Sequence, residues 1–341
     1  MNKAKIKIAI LAPVLLLILS VGYLWQAGFF SHSGPPEKLT IGANLSATIG
    51  LLLIAENRGY DRAHGLELVI KAYPTGLGPL KALREGKLDL ASCAEFALVG
   101  EILAGGADLR CLAVISSGQV DTLIARRDRG IQRLEDLSGK TIGLPRKTSA
   151  EFFLARFLTL NQISIQEVTV ADVSPFDLGE ALAAGRVDAV LIWEPVASAI
   201  MRKLGPAAID WPAQGGQDVY RLLVTRNEVA QKRPAALEKL LRALAQAAEF
   251  IKAQPEAAQE IIAERLKVPS TGMGKLPKRY ELFLDQSLLL AMEDEARWLI
   301  ANRLTDKTQV PDYLDYLEAG PLLQVDPKAV NLVLPGKGAP K

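Results

Sequence analysis

The chain has 341 residues, of which 49% are hydrophobic and 23% are charged, and its formal net charge is +2. This is the composition of a globular protein of about two domains, and it excludes disordered, collagen-like and low-complexity classes. Because the net charge is small, we expect no nucleic-acid partner. The two histidines and two cysteines are too few for a His-rich or Cys-rich metal centre, and we predict no metal and no cofactor.

The chain begins with a segment typical of protein export. Lys3, Lys5 and Lys7 precede an apolar stretch, residues 8–25, that would rise about 27 Å as a helix, close to the ~30 Å core of a bilayer. The positive-inside rule then places the lysines in the cytoplasm and the folded part outside it. A cleaved signal peptide, an uncleaved membrane anchor and a buried core helix are the alternatives. Residues 1–36 are therefore predicted to be a signal or anchor followed by a linker.

From residue 39 onwards, short apolar runs alternate with helical patterns. The order predicts strands at 39–43, 66–73, 88–93 and 110–116, with helices at 48–57 and 79–84 between them. Such alternation favours an α/β fold with a mostly parallel sheet and helices on both faces.

The middle of the chain repeats this alternation before the pattern becomes helical. Further strand-like runs lie at 121–126, 139–145, 167–173, 187–192 and 220–225, with helical runs at 151–160 and 178–184. After residue 233 leucines recur at helical spacing, and Pro234 suits a first helical turn.

Two short segments of the chain echo each other. The run LREGKLDLASCAEF at 83–96 matches LAAGRVDAVLIWEP at 182–195. Gly86 and Gly185 can take the left-handed conformation that ends a helix, and Asp89 and Asp188 then open apolar strands. Chance or a generic turn between helix and strand is the alternative explanation. The echo predicts two lobes of like construction, 37–120 with 220–341 and 121–219, joined by two crossing strands.

Candidate site residues lie just past the predicted strands, where open parallel sheets bind ligands. Thr48 and Thr148 either cap helices or bind a ligand; residues 148–151 have the spacing of a capping box. Glu95 and Glu194 end matching strands, so they either enter one cleft or only complement helix dipoles. Trp193 either stacks on a ligand or fills space.

Known enzyme motifs are missing from the sequence. It has no GxSxG, phosphate-binding loop, GxGxxG after a strand or HExxH. A pair formed by Glu95 and Glu194 has nothing beside it to orient a nucleophile or base. We therefore predict a protein that is not an enzyme. Cys93 and Cys111 fall at different heights of the predicted sheet, and we expect two free, buried thiols.

Several segments together resemble the periplasmic substrate-binding proteins of ABC importers for nitrate, sulfonate and taurine, a family that includes binders of thiamine-pyrimidine precursors. The matching segments include LTIGANLSATIGLLLIAENRGYDRAHGLELVI, ALREGKLDLASCAEFALV and ALAAGRVDAVLIWEPVAS. The resemblance implies two α/β lobes that close on a small molecule, in a monomer that delivers it to a permease and its ATPase. It places ligand contacts at Ser46, Thr48, Thr75, Gly76, Glu95, Ser117, Thr148, Ser149, Trp193 and Glu194.

Glu95 departs from the small residues that many oxyanion binders of this family carry at its position. A buried carboxylate needs a positive or hydrogen-donating partner, which favours an organic ligand bearing an amine or a heterocyclic N–H, such as a zwitterion. The predicted ligand is therefore a small organic molecule that bears a sulfonate, an amine or a heterocycle. A membrane-tethered ligand sensor of the same fold is the second hypothesis. An enzyme that synthesises the precursor is a third, although the Cys-rich segment and active-site histidine of those enzymes are missing.

Overall fold

The computed structural model describes residues 35–333. The predicted export segment at 8–25 lies outside these residues. Among the described residues, no helix is both long and apolar enough to cross a membrane.

Twelve strands and twelve α-helices make up the described chain. The strands are β1 Glu37–Asn44, β2 Leu66–Tyr73, β3 Leu90–Ala94, β4 Leu109–Gly118, β5 Asp121–Arg126, β6 Thr141–Leu144, β7 Thr169–Asp172, β8 Ala189–Trp193, β9 Ala208–Pro212, β10 Val219–Arg226, β11 Leu284–Asp285 and β12 Val330–Asn331. The helices are α1 Gly50–Asn57, α2 Tyr60–Ala63, α3 Leu77–Arg84, α4 Glu95–Leu103, α5 Ser149–Leu160, α6 Leu178–Ala183, α7 Val196–Leu204, α8 Asn227–Lys232, α9 Pro234–Ala253, α10 Pro255–Leu266, α11 Gln286–Ala301 and α12 Gly320–Val325.

Two five-stranded sheets carry the fold, in the orders β2-β1-β3-β10-β4 and β7-β6-β8-β5-β9. We call the part built on the first sheet the first lobe and the part built on the second sheet the second lobe. Within each sheet one strand runs against the rest: β10 is antiparallel to β3 and β4, and β5 is antiparallel to β8 and β9. The predicted two-lobed α/β fold with mostly parallel sheets is confirmed.

The chain crosses between the sheets at residues 119–120 and 213–218. The strand that follows each crossing, β5 or β10, enters its sheet from the edge where the parallel strands end, and it therefore runs antiparallel to them. The Gln214 side chain ties the two crossings together: it accepts hydrogen bonds from the backbone amides of Val120 (2.6 Å) and Asp121 (2.9 Å). The predicted lobe boundaries stay a prediction, but the strands on either side of them belong to different sheets.

The sequence echo corresponds to one structural device used in both lobes. Gly86 and Gly185 both have left-handed φ, +74° and +73°. In the first lobe the Asp89 carboxylate accepts a hydrogen bond from the Thr40 backbone amide at 2.8 Å. In the second lobe the Asp188 carboxylate does the same for the Thr141 amide, also at 2.8 Å. Each aspartate thus fixes the start of one strand against its parallel neighbour.

Both cysteines are free and buried, as predicted. Cys93 lies on β3 and Cys111 on β4, and β10 separates these two strands. Two strand spacings amount to about 9.5 Å, beyond the reach of a disulfide. Burial raises the pKa of each thiol, so both remain inert apolar fillers.

Candidate functional site

A small cavity of about 30 Å³ lies between the two lobes, with room for about one or two water molecules. The parallel strands β1, β3 and β8 end at this cavity, and the antiparallel strands β5 and β10 begin there. Its lining comprises Asn44, Gly76, Ala94, Ala97, Val219 and Arg221 from the first lobe, and Val120, Asp121, Thr148, Ser149 and Trp193 from the crossing and the second lobe.

Arg221 places a positive charge in this cavity. It is the third residue of β10, and only 8% of it is exposed. One guanidinium nitrogen, Nη1, donates to the Asn44 side-chain oxygen at 2.9 Å, while Nε has no partner among the described residues. Burial lowers the pKa of this guanidinium, but an arginine stays charged at any physiological pH. Arg221 therefore retains donors for a ligand.

Asp121 contributes a negative charge from the opposite lobe. It opens β5, is 2% exposed, and its backbone amide is held by Gln214. Neither carboxylate oxygen has a hydrogen-bond partner within the described residues. Burial raises the pKa of Asp121 to about 7, against the opposing effect of the Arg221 charge. The carboxylate can therefore change its charge near neutral pH.

Glu95 is fully buried at the start of α4, behind the cavity lining. Its Oε2 accepts a hydrogen bond from the Tyr220 backbone amide at 2.9 Å. Burial raises the pKa of Glu95 to about 8, with opposing contributions from that hydrogen bond and from Arg221. Burial and the charge of Glu95 also raise the pKa of the buried Glu295 well above its ordinary value. Two acidic side chains, Glu95 and Asp121, thus interact with one buried arginine.

The start of α5 presents an uncapped helix N-terminus on the second lobe. Thr148 precedes the helix, but its side chain accepts no hydrogen bond from the helix amides; instead its hydroxyl donates to the Pro145 carbonyl at 2.6 Å. Glu151 accepts from the Lys147 amide at 2.8 Å. The capping box suggested by the spacing of 148–151 is therefore absent, because both side chains bond to the preceding loop. An open helix N-terminus favours anions.

Four of the ten predicted site residues line the cavity: Gly76, Thr148, Ser149 and Trp193. Trp193 is half-buried and packs against the cores of both lobes. Thr75 is the neighbour of Gly76 in the chain and is half-buried.

The other predicted residues lie deeper or face elsewhere. The hydroxyls of Ser46 and Thr48 bond to each other at 2.7 Å. The backbone of Ser117 pairs with that of Arg279. The Glu194 carboxylate accepts from the Ser198 backbone amide at 3.0 Å, at the start of α7, which is the arrangement that a helix dipole favours.

Arg221 and Asp121 were not among the predicted site residues. A detectable signal did exist: Arg221 is a lone charge inside the apolar run of VYRLLVTR, and Asp121 directly precedes the apolar run TLIA. A charge within a buried strand is unfavourable unless it serves a site, and here both charges line the cavity.

The lobes also contact each other beyond the cavity lining, so the structure is a closed one. Phe152 of the second lobe packs against Phe96 and Trp298 of the first lobe, with ring centres 6.0 and 5.7 Å apart. Arg202 of the second lobe donates to the Gly272 carbonyl of the first lobe at 3.2 Å. The Glu194 carboxylate also lies so close to Gly274 that a β-carbon there would collide with it.

A larger groove of about 620 Å³ lies beside the cavity. Lys81, Lys147 and Lys307 are among its lining residues, together with apolar side chains such as Phe96 and Leu299. We call it the outer groove. It shares Ala97 with the cavity lining.

Comparison with known proteins gives relatives that are named as binding proteins. A protein of Brucella abortus named as a binding protein is 26% identical over 245 residues, 71% of this chain and 75% of that one. A protein of Escherichia coli K12 named for binding aliphatic sulfonates is 24% identical over 237 residues, 69% of this chain and 73% of that one.

Solved structures share the fold at low sequence identity. The alkanesulfonate-binding protein SsuA of Xanthomonas axonopodis pv. citri, bound to MOPS, has a TM-score of 0.73 and 21% identity, covering 84% of this chain and 100% of that one. The desulfurization enzyme DszB has a TM-score of 0.66 and 17% identity, covering 85% and 99%. The resemblance that the sequence indicated is confirmed. The model of the NMT1/THI5-like family matches residues 47–258, more than half of the chain, and the protein therefore belongs to that family.

Proposed function

We propose that this protein is a periplasmic solute-binding protein that captures a small organic acid of the sulfonate class between its lobes and delivers it to the permease of an ABC importer. The observation that carries the proposal is Arg221, a buried guanidinium with unused donors that faces the interlobe cavity. The relative that is named for binding aliphatic sulfonates supports the choice of a sulfonate as the acid group.

A buried guanidinium favours an oxyanion for physical reasons. Transfer of a charge away from water is unfavourable unless hydrogen bonds and an opposite charge compensate it. Arginine offers a planar set of donors that matches the oxygens of an acid group. The open N-terminus of α5 lies on the opposite wall, at Thr148 and Ser149. An acid group between them would contact both lobes.

Capture requires the lobes to move. A cavity of about 30 Å³ is too small for an organic sulfonate, so the lobes must separate before the ligand enters. The short crossings at 119–120 and 213–218 are where that movement would occur. A ligand that contacts both lobes stabilises the closed state, because those contacts are lost when the lobes separate.

The proposed role is binding rather than catalysis, although the fold is shared with an enzyme. No cysteine or histidine occurs among the residues that line the cavity. A periplasmic location rests on the export pattern of residues 1–36 and on the binding-protein relatives. Mass spectrometry of the mature N-terminus would distinguish a cleaved signal from a retained anchor.

A thermal-shift screen tests the proposal directly. Ethanesulfonate, butanesulfonate and MOPS would be compared with sulfate, nitrate and glucose. A ligand at 100 times its dissociation constant adds about 2.7 kcal/mol to the free energy of unfolding. We expect stabilisation by organic sulfonates and none by glucose. The proposal is contradicted if no organic sulfonate raises the melting temperature.

A further inference from the structure

We infer that the ligand carries a protonated, hydrogen-donating nitrogen as well as an acid group, and that Asp121 is the residue that selects this nitrogen. The inference rests on the proposed function and specifies its ligand further. It comes from one feature of the cavity: two opposite charges line it from opposite lobes without pairing.

Asp121 is positioned as a recognition group. Its backbone is fixed, since Gln214 binds its amide and its carbonyl accepts from the Ala213 amide at 3.2 Å. Its side chain is almost fully buried, yet both carboxylate oxygens lack a partner within the described part of the chain. A buried acceptor without a partner is unfavourable, and more so when it is charged. A donor from the ligand would remove that cost.

The neighbouring acidic residues are less suited to this role. One oxygen of Glu95 is engaged by the Tyr220 amide, and Glu95 is not part of the cavity lining. One oxygen of Glu194 is engaged by the Ser198 amide at the start of α7. Asp121 lines the cavity and has both oxygens available.

The charge pattern discriminates between ligand classes. A simple anion would pair with Arg221 but leave Asp121 buried without a partner and repelled. A simple cation would pair with Asp121 but leave Arg221 buried without a ligand partner and repelled. A ligand with both charges compensates both side chains at once. Because Arg221 belongs to the first lobe and Asp121 to the second, such a ligand would also tie the lobes together.

Matched pairs of small probes test this inference by isothermal titration calorimetry. Taurine and ethanesulfonate differ only in the amino group, and so do β-alanine and propionate. On the unmodified protein we expect taurine to bind on the order of 30-fold more tightly than ethanesulfonate, as for a desolvated charge pair. Asp121→Asn should remove most of this difference, and it should tighten ethanesulfonate binding because it removes a repelling carboxylate. Asp210→Asn, an exposed position on the neighbouring strand β9, is the control and should preserve the difference.

The outcomes separate this inference from the proposed function. If ethanesulfonate binds and taurine binds no more tightly, the inference is wrong and the proposed function stands. If β-alanine binds in a way that depends on Asp121 but no sulfonate binds, the inference stands and the sulfonate class is wrong. If taurine binds more tightly and Asp121→Asn keeps the full difference, the role assigned to Asp121 is wrong. The comparison of probes on the unmodified protein tests the requirement for the nitrogen even if Asp121→Asn fails to fold.

Discussion

Asp121 and Arg221 line one cavity from opposite lobes, and no ion pair joins them. Each lies near the start of a strand that enters its sheet against the direction of its neighbours, Asp121 on β5 and Arg221 on β10. Those strands begin where the parallel strands end, so the topology itself delivers one charge from each lobe to the cavity. Closure of the lobes brings the two charges to the same space.

Arg221 is the residue whose replacement should weaken binding most. Arg221→Lys keeps the positive charge but loses the planar donor set and the bond to Asn44. We expect the dissociation constant for ethanesulfonate to rise at least about 30-fold, since loss of a desolvated charged contact costs about 2–5 kcal/mol. Arg242→Ala, on the exposed face of α9, should bind as the unmodified protein does. If Arg221→Lys bound ethanesulfonate as tightly as the unmodified protein, the anion site would not lie in this cavity.

The pH dependence of binding should have opposite signs for the two ligand classes. The groups concerned are Asp121, with a pKa of about 7, and Glu95, with a pKa of about 8, and both interact with Arg221. The buried Glu295 interacts with Glu95. Protonation of these carboxyls leaves Arg221 as the dominant charge. Ethanesulfonate should therefore bind more tightly as the pH falls from about 8.5 to about 6.

Taurine should show the reverse trend, because its ammonium group needs Asp121 ionised. Titrations in buffers of different ionisation enthalpy measure the linked protons directly. We expect proton uptake with ethanesulfonate and proton release with taurine. Identical pH profiles for the two probes would mean that neither ligand interacts with the Asp121 carboxylate.

Stability of the ligand-free protein should depend on Glu95 in a pH-dependent way. Its pKa is raised from 4.5 to about 8 in the folded state, so the native protein binds more protons than the unfolded chain between these values. The stabilising effect of protonation is complete below about pH 4.5 and is lost as the pH rises through about 8.

Glu95→Gln stays neutral and should therefore gain stability relative to the unmodified protein as the pH rises. Urea unfolding at about pH 5 and about pH 8.5 should show that the difference in free energy of unfolding grows by at least about 1 kcal/mol in favour of the variant. Glu238→Gln, at a partly exposed position of α9, is the control. A difference that stays constant with pH would show that Glu95 is ionised throughout.

The contact of Phe152 with Phe96 and Trp298 should set the balance between open and closed lobes. Each aromatic pair contributes roughly 0.5–1.5 kcal/mol beyond burial. Phe152→Ala should therefore enlarge the radius of gyration of the ligand-free protein in small-angle X-ray scattering and weaken ethanesulfonate binding about 10-fold. Phe176→Ala, at a second-lobe position that is 75% exposed, should change neither quantity. An unchanged scattering profile for Phe152→Ala would show that other contacts hold the lobes together.

The fold was predictable because its signals are local. Apolar runs of strand length, left-handed glycines such as Gly86 and Gly185, and the aspartates Asp89 and Asp188 all act within one helix–turn–strand unit or between neighbouring strands. The start of α1 was less predictable, since residues 47–49 form a separate 3₁₀ turn ahead of it.

The side chains that enter the cavity were harder to predict because they depend on contacts distant in sequence. Asp121 is held by Gln214, 93 residues away, and Arg221 by Asn44, 177 residues away. Glu194 has the same place in the echo as Glu95, yet its carboxylate turns to the Ser198 amide of the next helix. The strand ends locate the site, whereas the packing of the lobes decides which charges enter it.

The most direct test that a small organic acid binds between the lobes at Arg221 is a crystal structure determined from crystals grown with saturating ethanesulfonate. We predict sulfonate density within hydrogen-bond distance of the Arg221 guanidinium, with the start of α5 at Thr148 and Ser149 on the opposite wall. Sulfonate density at Lys81, Lys147 and Lys307 in the outer groove, with none at Arg221, would contradict the account.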